Sequence, residues 1–149
     1  MTEKDFRVLH SELIDCYQNI EMRLKGICAA ICADEDGNWF QRLDEYEPDP
    51  LGKMIQEIRA IQDRTRLDLF SSEDYQALSA LRQTRNYWVH QCFVSSDCVV
   101  FKNGEVKENK AKKIKEDLRD AEDWKEELTE IEHSRMKSMN RIYGVNAAF

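Results

Sequence analysis

Residues 75–93 read YQALSALRQTRNYWVHQCF, and the period of this stretch decides the fold. At the ~100° step of an α-helix, Tyr75, Leu78, Leu81, Trp88, Val89, Cys92 and Phe93 fall on one continuous apolar arc, which a strand's twofold alternation would scatter over both faces. Ser71 or Ser72 supplies the N-cap, with Glu73 and Asp74 placed to favour the positive end of the helix dipole. One helix is therefore expected from Ser71 or Ser72 to Phe93.

The same period recurs on both sides. Thr2 to Asp5 resembles a capping box, and Phe6, Leu9, Leu13, Cys16, Tyr17, Ile20, Leu24, Ile27, Cys28 and Ile31 follow at helical spacing, predicting a first helix over about 3–33. Asp34-Glu35-Asp36-Gly37 ends it. A polar connection through Asp44, Glu45, Glu47, Pro48, Asp49 and Pro50, with a short turn around Trp39 and Phe40, leads to a second helix over about 50–68, marked by Leu51, Met54, Ile55, Ile58, Ile61 and Leu67. Beyond the 75–93 helix, Cys98-Val99-Val100-Phe101 and Lys102-Asn103-Gly104-Glu105-Val106 read as a small β-hairpin around an Asn-Gly turn. A last helix over about 110–143 carries Ile114, Leu118, Ala121, Trp124, Leu128, Ile131, Met139 and Ile142, and closes at Gly144. Arg135 interrupts its stripe where a coiled coil would need an apolar residue, so a long bundle helix is expected. The sum is an all-α bundle of four to five helices in one domain over residues 1–149, without internal repeats.

Composition narrows the function classes. Hydrophobic residues make up 42% and charged residues 34% of the 149, with five Gly and two Pro, the profile of a helix-rich globular chain. The formal net charge of −7 speaks against sequence-independent coating of nucleic acid, which needs lysines and arginines to displace counterions; any RNA contact must be local. There is no apolar run of the ~18 residues that signals a membrane span, and Met1-Thr2-Glu3-Lys4-Asp5 has no secretory character, so a cytoplasmic protein without membrane contact is expected. Five cysteines (Cys16, Cys28, Cys32, Cys92, Cys98) are an odd set within helical patterns, as reduced thiols would be. Cys28 and Cys32 share a helix face, but no further ligand sits at metal spacing, and they read as packed core thiols with neither metal nor cofactor expected.

Arg85 is the exception to this order, because it falls near the middle of the apolar arc of its helix. Arg82, Asn86 and His90 run along the edge at i, i+4 and i+8. A guanidinium facing a core loses several kcal/mol of hydration unless something compensates it. One compensation is a carboxylate from a neighbouring helix, such as Glu57, Asp63 or Asp68. The other is a cleft where an anion binds intermittently: the planar fork of donors suits phosphate oxygens, and His90 supplies a proton carrier near neutral pH.

Arg85, Asn86 and His90 resemble the R-N-x-x-x-H motif of the HEPN (higher eukaryotes and prokaryotes nucleotide-binding) domains, and nearly the whole chain is similar to those helical bundles in carrying the motif on a late helix. The resemblance implies a metal-independent endoribonuclease that dimerises to bring two motifs into one cleft; other members are noncatalytic modules that bind a nucleotide or a protein. A toxin or antiphage role, with an antitoxin protein as partner, belongs to the same resemblance. In the branch whose toxin is modified on a Tyr two residues after the motif His, the equivalent position here is Cys92, so that modification is not expected.

Metal-free RNA cleavage by the 2′-hydroxyl needs a base, an acid and cations for the developing charge, and one motif has one imidazole. A twofold homodimer joined through the motif face would provide two His90, two Arg85 and two Asn86 around one phosphate. His90 is then general base or acid, Arg85 stabilises the oxyanion, and Asn86 orients His90 or the phosphate. Arg82 adds a phosphate contact, and Tyr87 stacks on a base or packs at the interface. Trp88 reads as core, His10 and His133 as surface or satisfied histidines, and Lys107 to Lys115 as a solvated helix start.

Overall fold

Residues 24–33 are all buried, and ten consecutive buried positions on a helix mean that neighbours cover every side. This stretch lies in α1 (Glu3–Asp36) of the computed structural model and forms the axis of the molecule. Around it stand α2 (Trp39–Tyr46), α3 (Leu51–Thr65), α4 (Ser72–Asn86), a π-helical turn (Tyr87–Gln91) and α5 (Glu108–Tyr143). The structure describes residues 1–36, 38–48, 50–101 and 103–143, with backbone alone for 34–36 and 139–143. Gly37, Asp49, Lys102 and Gly144, and the side chains of Asp34, Glu35, Asp36, Met139 and Ile142, lie outside the described residues.

Small residues set how closely the helices approach. A Cβ at Gly26 would collide with the Glu132 carboxylate of α5, and Ala30 and Ala33 pack against Met136 further along. At the other end, Val106 N donates to Met1 O at 3.2 Å and Glu3 N to Gly104 O at 3.1 Å. The two long helices therefore run side by side in the same direction. Lys25, 7% exposed, is tolerated in the buried stretch because its ammonium donates to Glu47 O at 2.6 Å, satisfying a carbonyl at the C-terminus of α2.

α3 and α4 form an antiparallel pair. Gln62 clips the connection, donating to Phe70 O at 2.9 Å and accepting from Phe70 N at 3.0 Å and the Tyr75 hydroxyl at 2.9 Å. α3 stops at Thr65, short of the expected boundary near 68, because Arg66 takes a left-handed conformation with φ 59°. The α4 cap is Ser71, which accepts from Asp74 N while Asp74 accepts from Ser71 N, a complete capping box.

Two expectations need adjusting. The turn around Trp39 and Phe40 is a full short helix, capped by the Asn38 side chain on Gln41 N at 3.2 Å. The predicted hairpin at 98–106 forms only isolated bridges, Val100 with Val106 and Thr2 with Glu105, around a turn where Gly104 adopts φ 78°. Its segments are too short to build a ladder, and the N-terminus of α1 docks on the second one.

Candidate functional site

The helix bearing the motif does not run uniformly to Phe93. After Asn86 it widens into the π turn, in which Cys92 N bonds to Tyr87 O at 3.0 Å rather than to Trp88 O. The released Trp88 carbonyl is taken by His10 Nε2 of α1 at 2.7 Å and by the Cys92 thiol at 3.2 Å. A side chain from a neighbouring helix has thus entered the hydrogen-bond ladder, a recognised cause of such widening. His10 is satisfied, as the sequence allows, and its ring packs among Phe6, Trp88 and Phe93.

Trp88 anchors the turn. Its side chain is fully buried, its ring lies 5.9 Å from that of Phe6, and its Nε1 donates to Asp117 Oδ2 of α5 at 2.7 Å. Asp117 is in turn paired with Lys113 at 3.1 Å. Trp88 is therefore core, as its place on the apolar arc implies. Val89, assigned to the same arc, is 39% exposed. Uniform 100° stepping fails here because a π turn takes more residues per revolution and rotates the side chains beyond it.

Within the turn Trp88 is drawn inward, while Val89 and His90 face out. His90 is exposed and has no hydrogen bond or ion pair among the described residues. Arg85 is half-buried rather than core-facing. Among the described residues its one polar contact is Nη1 to Asn86 Oδ1 at 3.4 Å. None of Glu57, Asp63 and Asp68 pairs with it; Glu57 instead accepts from the Tyr46 hydroxyl at 3.2 Å. The carboxylate compensation that the sequence leaves open is thus absent among the described residues of one chain. Arg82, exposed on α4, lies over Gly52 in the first turn of α3, where a Cβ would crowd its guanidinium.

Tyr87 is half-buried, with the Trp88 ring edge-on at 4.9 Å and the Lys110 ammonium 4.8 Å from its own ring centre. Lys110 is buried and paired with Asp97. Burial pulls its pKa down, but the contacts with Asp97 and Tyr87 outweigh that and leave it above the ordinary lysine value. The Lys110 hydrogen bond is in turn the largest influence on Asp97, whose pKa is lowered. The basic run at 107–115 is largely neutralised within the chain, Lys107 by Asp97 at 3.9 Å, Lys112 by Glu116 at 3.8 Å and Lys113 by Asp117. Phe93, half-buried, carries the Arg7 guanidinium 4.8 Å over its ring, and Val94 beyond it is 81% exposed.

Apart from Cys92 in the π turn and Cys98 close after it, the thiols sit elsewhere. All five are free, and burial raises the pKa of Cys16, Cys28 and Cys92, which makes them poor nucleophiles. Cys32 is within 3.4 Å of the Tyr46 hydroxyl. Among the described residues no group of three or more His, Cys, Asp or Glu side chains is placed to hold a metal, and no helix is long and apolar enough to cross a membrane. His133 is exposed on α5.

Chemically, the α4 end presents an unpaired guanidinium, an adjacent amide and an exposed imidazole on one continuous helical segment. Such a set can bind an anion and move a proton beside it. The residues that hold it there, His10, Asp117 and Lys110, come from other helices, and no spacing rule in the sequence connects them to the motif. Compared with known proteins, the chain matches no family model, no curated protein and no solved structure.

Proposed function

We propose that this protein is a metal-independent endoribonuclease of HEPN type, acting in the cytoplasm as a homodimer with a composite Arg85, Asn86 and His90 site. The observation that carries the reading is Arg85: half-buried, hydrogen-bonded only to Asn86, and without a carboxylate among the described residues. In a chain of net charge −7, with 29 acidic side chains, a guanidinium left without one among the described residues, on the same helical segment as an exposed imidazole, is disposed toward an external anion. The R-N-x-x-x-H resemblance supplies the identity of that anion, an RNA phosphate.

In the reaction, one His90 accepts the 2′-hydroxyl proton as the oxygen attacks phosphorus. The bond from phosphorus to the 5′-oxygen breaks, the second His90 protonates that oxygen, and a 2′,3′-cyclic phosphate remains. The two Arg85 bear the charge that builds on the nonbridging oxygens, and Asn86 orients His90 or the phosphate. Arg82 extends the phosphate contact. A toxin or antiphage effector, restrained by an antitoxin protein, is the setting in which such an activity is useful.

The test is incubation of the purified protein with mixed RNA in EDTA beside His90→Ala and Arg85→Ala. Cleavage by the parent alone supports the enzyme. Equal residual cleavage by all three points to a contaminant and leaves a noncatalytic dimer that binds a nucleotide or protein partner as the better reading.

A further inference from the structure

The acids of this chain avoid one segment. Residues 75–96 contain neither Asp nor Glu, the longest such stretch in the sequence, although the average density of 29 acids in 149 residues would place about four there. The stretch covers α4 beyond its first turn, the π turn and the residues that follow. In a chain of net charge −7, this is the surface where a polyanion meets least repulsion.

A cavity of about 520 Å³ opens here between α3 and α4, lined by Arg59, Ser72, Tyr75, Gln76, Ser79 and Gln83. Arg59 is exposed, and its guanidinium lies 5.2 Å from the centre of the Tyr75 ring. That ring is itself fixed, because its hydroxyl donates to Gln62 Oε1 at 2.9 Å. The guanidinium is thus positioned by an aromatic face and not by a counter-ion. Among the described residues no carboxylate lies within ion-pair distance of it, Asp63 one turn along α3 included. The side chains of Ser72, Gln76, Ser79 and Gln83 are exposed and have no hydrogen-bond partner among the described residues.

The cavity is continuous with the motif. Ser72, Gln76, Ser79, Gln83 and Asn86 recur at steps of four, three, four and three residues, one stripe of α4 that ends where the π turn presents His90. Arg82 borders that stripe and lies over Gly52. From Gly52 to Arg59 α3 advances about 10 Å, so two guanidiniums without carboxylates stand apart along the same groove.

The occupant that fits is a single strand. Amide side chains reach the pairing edges of bases only where those bases are unpaired. A duplex would carry its second strand over α4 to the side where Ala77 and Ala80 share a cavity with Asp120, Asp123 and Glu127 of α5, and those carboxylates repel phosphate.

We propose that the groove between α3 and α4 is a binding track for single-stranded RNA leading to the motif. Arg59 and Arg82 hold phosphates, and Gln76, Ser79 and Gln83 contact sugar hydroxyls and base edges. The track rests on the nuclease reading above and extends substrate contact from the scissile phosphate to the nucleotides on one side of it.

The experiment is fluorescence anisotropy in EDTA with a labelled single-stranded RNA of about 12 nucleotides, using the His90→Ala protein so that the RNA stays intact. Adding Arg59→Ala is expected to weaken binding about tenfold and to lower the slope of log Kd against log salt by about 0.7, the share of one phosphate on a single strand. Arg59→Lys keeps that slope. Gln76→Ala with Gln83→Ala weakens binding about fivefold at an unchanged slope, since amides displace no counterions. Arg119→Ala, which removes an exposed arginine of α5, leaves binding unchanged, and a duplex of the same sequence competes about tenfold more weakly than the single strand. The proposal is overturned if Arg59→Ala has no effect, if Arg119→Ala loses as much, or if the duplex competes equally. The nuclease reading fails separately. RNA bound with the expected pattern but left uncut by the unaltered protein removes the cleavage and keeps the track, whereas RNA that is cut while Arg59→Ala leaves binding unchanged removes the track alone.

Discussion

Two half-buried arginines divide the molecule into a part that holds itself together and a part that faces outward. Arg23 of α1 donates to Glu132 of α5 at 2.8 Å, with one third of its side chain exposed. Arg85, of intermediate exposure at the end of α4, has only Asn86 among the described residues. The same residue type at comparable depth is thus closed by a carboxylate in one place and left open in the other. A half-buried guanidinium is expensive to leave unpaired, so the pair at Arg23 reads as packing and the gap at Arg85 as a vacancy for an anion.

The comparison is broken most severely at the motif. His90→Ala is expected to lower RNA cleavage by about 10²–10⁴, the usual weight of a general acid or base, while the exposed ring contributes almost nothing to stability. Thermal unfolding that moves together with activity would place His90 in the fold instead. On the other side, Glu132→Ala strands the Arg23 charge and opens a gap beside Gly26. A loss of about 2 kcal/mol in urea unfolding is expected, with cleavage per folded molecule unchanged.

His10 tests whether the π turn matters to the open site. His10→Ala removes the donor on Trp88 O, which is worth about 1 kcal/mol, and should lower cleavage about tenfold by letting the turn relax. Hydrogen exchange at the Cys92 amide reads the turn directly: a bond that shifts from Tyr87 O to Trp88 O changes its protection. Unchanged exchange together with lost activity would remove His10 as a positioning residue.

The smallest effect concerns pH. The folded Asp97 carboxyl lies below its unfolded value, so its contribution is present above the ordinary carboxylate range and is lost as pH falls through the lowered value. Lys110 is raised, so its contribution is complete below the ordinary lysine value and is lost as pH rises through the raised one. Between these limits Asp97→Asn should be less stable than the parent, and unfolding curves of the two should converge at acid pH.

The helical order was open to reading in the sequence because it rests on local period. Phe6 to Ile31, Leu51 to Ile61 and Ile114 to Leu128 each carry enough apolar repeats to settle the conformation, while the end of α3 at Thr65 is set by the left-handed Arg66. The all-round burial of 24–33 was not open to reading in this way, since Lys25 breaks the apolar run and Gly26, Ala29, Ala30 and Ala33 are too small to mark a buried face. Arg85, Asn86 and His90 stood out individually, yet the placement of His90 belongs to the π turn, and that turn engages His10, distant by 78 positions from the carbonyl it binds. Long-range insertion of a single ring into a hydrogen-bond ladder leaves no periodic trace. The unpaired state of Arg85 is equally a tertiary fact: Glu57 stood available in the sequence and is engaged by Tyr46 in the fold.

The most direct measurement is the rate of RNA cleavage in EDTA by Arg85→Ala relative to Arg23→Ala, each corrected for its folded fraction. A deficit of about 10² or more is predicted for Arg85→Ala, the order expected when one preorganised charge on the transition state is removed, with Arg23→Ala near the parent rate. Equal rates for the two variants would contradict the assignment of Arg85 as the open, phosphate-facing arginine.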